Sequence, residues 1–289
     1  MKKYICFPLL ALVGGGAAFI LRLLQRRTGF EADTGLPIPG NPYALLLVGL
    51  FIVLAVGCLL LCRVLPANPE TPLVFPDGFA VSSPALLTPT VAGIFLLALS
   101  GILDVVSGVA SPSALLGLGA GDYAVTVITG DTAAYSEIFT PREHMIAGLL
   151  SILSAASLFP AIPACRIRQG EKRAYKRELL LVPVCCLVVR LALTYRAQSA
   201  DPSLADYYVE LLAVVFLTLA FYRLSSFGFQ VGRTRRFTLY AVLAIVFCLA
   251  VLADHPDLAR LLFYLGSAAT LLGFLFQRLV VLAAPWDNT

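Results

Sequence analysis

Tyr43 to Cys62 reads YALLLVGLFIVLAVGCLLLC, twenty consecutive residues without a charge or a proline. Wound as an α-helix at 1.5 Å per residue, such a run measures about 30 Å, the thickness of a bilayer's hydrocarbon core. Working outward, comparable stretches recur near 4–24, 91–110, 142–165, 176–197, 204–224, 237–253 and 257–280. Short clusters of charge, Pro, Gly and Asp separate them. The sequence therefore predicts an all-α polytopic transmembrane helical bundle of about eight spans, with residues 1–289 forming one domain. Composition agrees: 59% of residues are hydrophobic and 13% charged, with a mean hydropathy of +0.88. Soluble domains run near about 45–50% apolar and about 25% charged, and no soluble fold of this length hides so much apolar surface.

Several span edges carry their own signals. Thr140-Pro141-Arg142-Glu143 has the form of a capping box with Pro at the first helical position, and Asp201-Pro202 and Asp254-His255-Pro256 set an acceptor ahead of a Pro. The seventh and eighth spans are only a few residues apart, which makes them an antiparallel hairpin.

Lys and Arg set the orientation. The connection after the fourth span holds Arg166, Arg168, Lys172, Arg173, Lys176 and Arg177, and the one after the sixth holds Arg223, Arg233, Arg235 and Arg236. By the positive-inside tendency both face the cytoplasm, and eight spans then put both termini inside, in keeping with Lys2 and Lys3. Arg22, Arg26 and Arg27 oppose this, because they follow the first span on its outer side. Either that region packs against the protein, or a further span lies between 63 and 140, for which Ser113 to Thr129 is the candidate as a ninth or re-entrant element.

Met1-Lys2-Lys3 before an apolar run also has the look of a secretory signal; the run is long enough to span and reads as a retained helix. The seven cysteines lie in or beside spans without a C-x-x-C pair, and Cys58 with Cys62 find no nearby His or acid, so packing is the expectation and no metal or other cofactor is implied. Residues 63–90, rich in Pro, are expected to be extended, with turns at Pro69-Glu70 and Pro76-Asp77-Gly78. Residues 111–140 read as an outer loop or as a lid over a site in the bundle.

Charge where charge is costly gives the functional clue. Asp104 lies well inside the third span, Arg190 inside the fifth, and Glu210 one to two turns below the outer end of the sixth. An ionised group at membrane depth costs at least roughly 2.5–3.5 kcal/mol, so such residues face protein or water. Depth counting lets the three meet in the outer half of the bundle, as an intramembrane ion pair or a binding site. Small residues surround Asp104 (Gly93, Ser100, Gly101, Ser107, Gly108), and the fourth span has a similar stripe in Ala147, Ser151, Ser154 and Ala155. Such faces allow close helix approach and also line cavities. His144 and His255 sit at outer span ends and read as interfacial, as do Tyr195, Tyr207, Tyr208, Tyr222 and Trp286.

There is no H-E-x-x-H, G-x-S-x-G or Walker A motif, so no catalytic residue is assigned, although an enzyme built from Asp and Arg alone stays open. The expected partners are the lipid bilayer, anionic lipid at the basic cytoplasmic loops, and a small-molecule or ion ligand; a net charge of +4 does not imply nucleic acid. The run Arg27 to Gly40 (RTGFEADTGLPIPG), the Tyr-rich start of the sixth span and the Arg-Phe start of the seventh resemble a group of uncharacterised polytopic membrane proteins of clostridia and related bacteria. The resemblance implies a bacterial plasma membrane and carries no activity. Three functional classes remain: a small-solute or ion transporter, favoured by possible helix breaks at Pro160, Pro163 and Pro183; a sensory or signalling module; and a structural or assembly subunit.

Overall fold

Uncharged runs of Leu, Val, Ala and Ile satisfy their backbone polar groups by bonding along the chain, and in the computed structural model they do so as eight helices. These are α1 (Cys6–Thr28), α2 (Pro42–Cys62), α3 (Thr88–Ala110), α4 (Pro141–Leu158), α5 (Val182–Gln198), α6 (Leu204–Ser225), α7 (Thr234–Val251) and α8 (Leu258–Ala283). The structure describes residues 4–30, 38, 40–65, 75–110, 140–166, 175–198 and 204–283. Among them are eight helices long and apolar enough to cross a membrane, and no strand. The candidate ninth element at 113–129 and the loop or lid at 111–139 lie outside the described residues.

Helix edges run slightly past the apolar runs that announce them. α1 continues to Thr28 and α7 begins at Thr234, because the backbone stays helical until a cap ends it, not until hydropathy falls. The predicted capping box is formed: Thr140 Oγ1 accepts from Glu143 N at 3.4 Å, and Glu143 Oε2 accepts from Thr140 N at 2.9 Å. Asn41 caps α2 by accepting from Tyr43 N at 2.8 Å. Asp201-Pro202 falls outside the described residues.

The layers follow from burial. α7 is the most enclosed helix, with 72% of its apolar window buried, followed by α8 at 67%, whereas α2 reaches only 22%. Helices α3, α4, α5, α6, α7 and α8 pack each against the next, and α8 returns to α3, so the six close a ring; α1 and α2 lie against the outside of α7. On the ring, α3 is wedged between α4 and α8 through small residues. A Cβ on Gly148 would stand 2.6 Å from Gly101 O, and one on Gly266 would stand 2.8 Å from Leu97 N. Helices this close gain their stability from backbone-to-backbone packing, since lipid offers no hydrophobic drive between them.

The bundle has two distinct ends. At the hairpin end, Leu252–Asp254 forms a 3₁₀ turn that leads into α8. The opposite, aromatic end is filled by residues 75–87. The turn expected at Pro76-Asp77-Gly78 is formed and that at Pro69-Glu70 lies outside the described residues; the expectation of an otherwise extended connection is corrected over 75–87, which folds into two 3₁₀ turns, Asp77–Phe79 and Pro84–Leu86, and buries Phe75, Phe79 and Val81. Phe79 meets Phe227, Phe237 and Phe274 edge-on at 5.1, 5.9 and 5.9 Å between centroids. Phe75 N donates to Phe227 O at 3.0 Å, Val81 N donates to Cys165 O at 2.9 Å, and Arg278 Nη1 donates to Gly78 O at 2.9 Å. Tyr175 packs its ring on Phe75 at 4.9 Å, and burial pushes its phenol pKa up. Apolar residues among prolines thus mark a segment that plugs the bundle, because its rings have nowhere else to leave water.

α4 is interrupted at Phe159-Pro160 and resumes over Ala161–Ala164. α5 is entered through a 3₁₀ turn, Arg177–Leu181, just before Pro183. Both irregularities lie toward the aromatic end.

Candidate functional site

Five helices send polar side chains into the interior of the ring near the hairpin end. α3 supplies Asp104, α4 His144 and Ser151, α5 Arg190, α6 Glu210, and α8 Arg260, Phe263 and Tyr264. α5 packs on α4 and α6 but makes no extensive contact with α8. Arg190 crosses that gap, with its guanidinium 3.6 Å from the centroid of the Phe263 ring. A cation over an aromatic face is stabilised by about 2 kcal/mol or more where water is excluded.

The centre of the site is Asp104 with Arg190, at 0% and 2% exposure. Arg190 Nη1 lies 3.8 Å from Asp104 Oδ2 and donates to Ser151 Oγ at 3.1 Å. Asp104 Oδ1 lies 3.3 Å from His144 Nδ1, a contact that pairs donor with acceptor in the Nδ1–H tautomer or in the imidazolium. Asp104 Oδ2 and Arg190 Nε are buried without a hydrogen-bond partner. The two charges neutralise one another while leaving one acceptor and one donor unspent.

Glu210 forms a second centre. It accepts from Gln198 Nε2 at 2.5 Å and from Tyr264 Oη at 2.9 Å, and Arg260 Nη1 stands 3.7 Å away. Arg260 Nε also donates to Asp257. Adjacent residues of α8 touch the two centres, Tyr264 bonding Glu210 and Phe263 lying under the Arg190 guanidinium. The series therefore runs inward from Asp257 and Arg260 through Glu210 and Tyr264, and by way of Phe263 to Arg190 and Asp104. Glu210 itself has no hydrogen bond or ion pair with Asp104 or Arg190: the depth shared by the three is realised as one pair and one neighbour, with Phe263 and Tyr264 of α8 facing one each.

A third contact accounts for two of the three arginines at the end of α1, Arg22 and Arg26, while Arg27 is exposed. Arg22 is fully buried, and its Nε donates to Asp254 Oδ1 at 2.7 Å; Arg26 Nε lies 3.1 Å from the same oxygen. The turn carboxylate expected to cap α8 is instead directed to α1, a correction to the sequence reading, because a buried guanidinium needs a counter-charge more than a helix start needs a side-chain cap. Tyr208 is likewise corrected. It is no interfacial belt residue, since its hydroxyl is buried and Arg22 stands 5.5 Å over its ring. Tyr195 and Tyr222 do face outward, at 61% and 48% exposure, and Trp286 is outside the described residues.

Sequence reasoning missed His144, Ser151, Tyr264 and Arg260 as members of this site. His144 has the placement of an interfacial residue, and only the third dimension turns it to Asp104. Arg260, Tyr264 and Ser267 share one face of α8 at spacings of four and three, a signal that was available. Cys58, Cys62, Cys186 and Cys248 are buried without a disulfide, and among the described residues no three of His, Cys, Asp and Glu gather as a metal site.

Set against models of known families, curated proteins and solved structures, the chain matches none. What it can do follows from its side chains alone. An acid, an imidazole and an arginine in a water-poor ring can hold a proton, a small ion or a small zwitterion. The breaks in α4 and before α5 contribute nothing here, since they lie toward the other end and direct no helix dipole at the charges.

Proposed function

We propose that the protein carries a small solute or ion across a cell's plasma membrane, with Asp104 and Arg190 as the binding pair and the hairpin end as the entrance. One observation carries this reading: five helices converge ionisable side chains on the interior of a helical ring, and the innermost pair keeps a buried acceptor and a buried donor unspent. Each such atom costs about 1–3 kcal/mol, a cost that a ligand bound between them would offset. Intramembrane ionisable residues of this kind mark solute and ion pathways.

The sidedness rests on charge. At the hairpin end Arg22, Arg26, Arg196 and Arg260 lie close to an acid, which leaves Arg27 and Arg142, whereas Arg63, Arg166, Lys176, Arg177, Arg223, Arg233, Arg235 and Arg236 gather at the aromatic end. The aromatic end is accordingly assigned to the cytoplasm.

The test is transport by reconstituted protein in proteoliposomes, using a panel of amino acids, sugars, small organic anions and monovalent cations. A solute-dependent current or uptake is expected from the wild type. It should vanish in Asp104→Asn while that variant keeps its folded monodispersity. A folded wild type that moves none of the panel, or uptake that survives Asp104→Asn, overturns the proposal. A second reading, a purely structural lock, draws on Glu210, whose carboxylate is surrounded by three donors. It shares the stability coupling of Asp104 with Arg190 and differs in requiring that the folded wild type move none of the panel.

A further inference from the structure

α3 and α4 approach closely at Gly101 and Gly148. Toward the aromatic end, the start of α3 and the segment after the break in α4 line a groove of 530 Å³, with Pro84, Thr88, Val91, Ala92, Ile162 and Arg166 among its lining residues. This is within the roughly 300–1,000 Å³ of small-molecule sites. One turn further along α3 from Val91, Phe95 meets Phe159 edge-on at 6.4 Å, both more than half exposed. The end at Arg166 is held in place: Val81 pairs with Arg166 in an isolated bridge, so the segment bearing Pro84 and the segment bearing Arg166 form one frame.

The walls are apolar and open sideways, as an acyl chain requires, and the one charge is a cation at the mouth. The Arg166 side chain is exposed and makes no ion pair among the described residues. A planar guanidinium at the level where α3 starts and α4 ends fits a phosphate bidentately. We infer that this groove seats an anionic phospholipid of the surrounding leaflet, with one acyl chain between α3 and α4 and its phosphate on Arg166. The inference stands apart from the transport reading, since the groove is on the outer face of the ring and shares no residue with the charged interior.

The test uses the full chain in detergent, titrated with dioleoyl phosphatidylglycerol, dioleoyl phosphatidylcholine and inorganic phosphate, and read by thermal shift and by native mass spectrometry of bound lipid. Phosphatidylglycerol is expected to bind at least several-fold more tightly than phosphatidylcholine, and inorganic phosphate to give no shift. Arg166→Ala should weaken phosphatidylglycerol about fivefold, the share of one basic residue at a lipid surface. Ala92→Phe, which fills the groove without touching any charge, should weaken both lipids. Equal binding of the two lipids by the wild type overturns the proposal, as does a phosphate shift equal to that of the lipid. Unchanged phosphatidylglycerol binding by Ala92→Phe also overturns it, by assigning the lipid to the basic stretch Arg168, Lys172 and Arg173 instead.

Discussion

At the hairpin end, α1, α6, α7 and α8 are joined by Arg22 with Asp254 and by Glu210 with Tyr264 and Arg260; at the aromatic end, Phe79 joins the connection before α3 to α7 and α8 through ring contacts. The two devices differ in kind. Ring packing is non-directional and survives any change of pH or salt, because it rests on buried apolar area. A buried ion pair is close to balanced between desolvation and attraction while both partners are present, but removing one strands a buried charge. The bundle therefore holds its aromatic end by apolar area and its hairpin end by matched charges.

Breaking each end separately gives the largest effects. Arg190→Met leaves Asp104 as an uncompensated buried charge, and a loss of about 3–5 kcal/mol is expected. On the scale of 2–4 °C per kcal/mol this is a fall in Tm of about 10 °C, and Asp104→Asn added to it should recover most of the loss. Phe79→Ala should lose about 3–5 kcal/mol as well, by opening a cavity. The two should part in thermal melts of double variants: Asp104→Asn rescues Arg190→Met and leaves the Phe79→Ala deficit unchanged. Equal rescue of both would erase the distinction between the ends.

A smaller effect tests what lies between them. Gly148→Ala presses a methyl group to 2.6 Å from the Gly101 carbonyl and should cost about 1–3 kcal/mol in the same melts. The smallest concerns Tyr175. Its phenol pKa is raised in the folded state, so the stability held by the neutral ring is complete below the ordinary value near about pH 10 and is lost as pH rises beyond it. The wild type should lose Tm more steeply than Tyr175→Phe between pH 9 and 11; parallel curves would show that the ring is not sealed.

Hydropathy was enough to locate all eight helices, since nothing but a span explains runs such as Tyr43 to Cys62. The box at Thr140 and Glu143 was also legible, because capping is a local event. Asp104 and Arg190 were legible by a different route: charge inside an apolar run is anomalous whatever surrounds it. The remainder was not, because it depends on contacts remote in sequence. Asp254 reads as a cap until Arg22, on another helix, is seen beside it. His144 reads as interfacial until α3 turns Asp104 toward it. Phe75 and Phe79 were hidden by the prolines around them, which signal irregular backbone and say nothing of what that backbone buries.

The hairpin of α7 and α8 is the most enclosed part of the bundle and leaves the ribosome after the six helices that precede it. Arg22 must wait for Asp254, 232 residues later, and Glu210 for Tyr264. During synthesis, α1 through α6 thus enter the bilayer with Arg22 and Glu210 still without these partners and with their ring not yet closed. Arrival of the hairpin is the event that turns a set of inserted helices into a folded protein, which makes a chain stalled before Leu258 a natural target for membrane quality control.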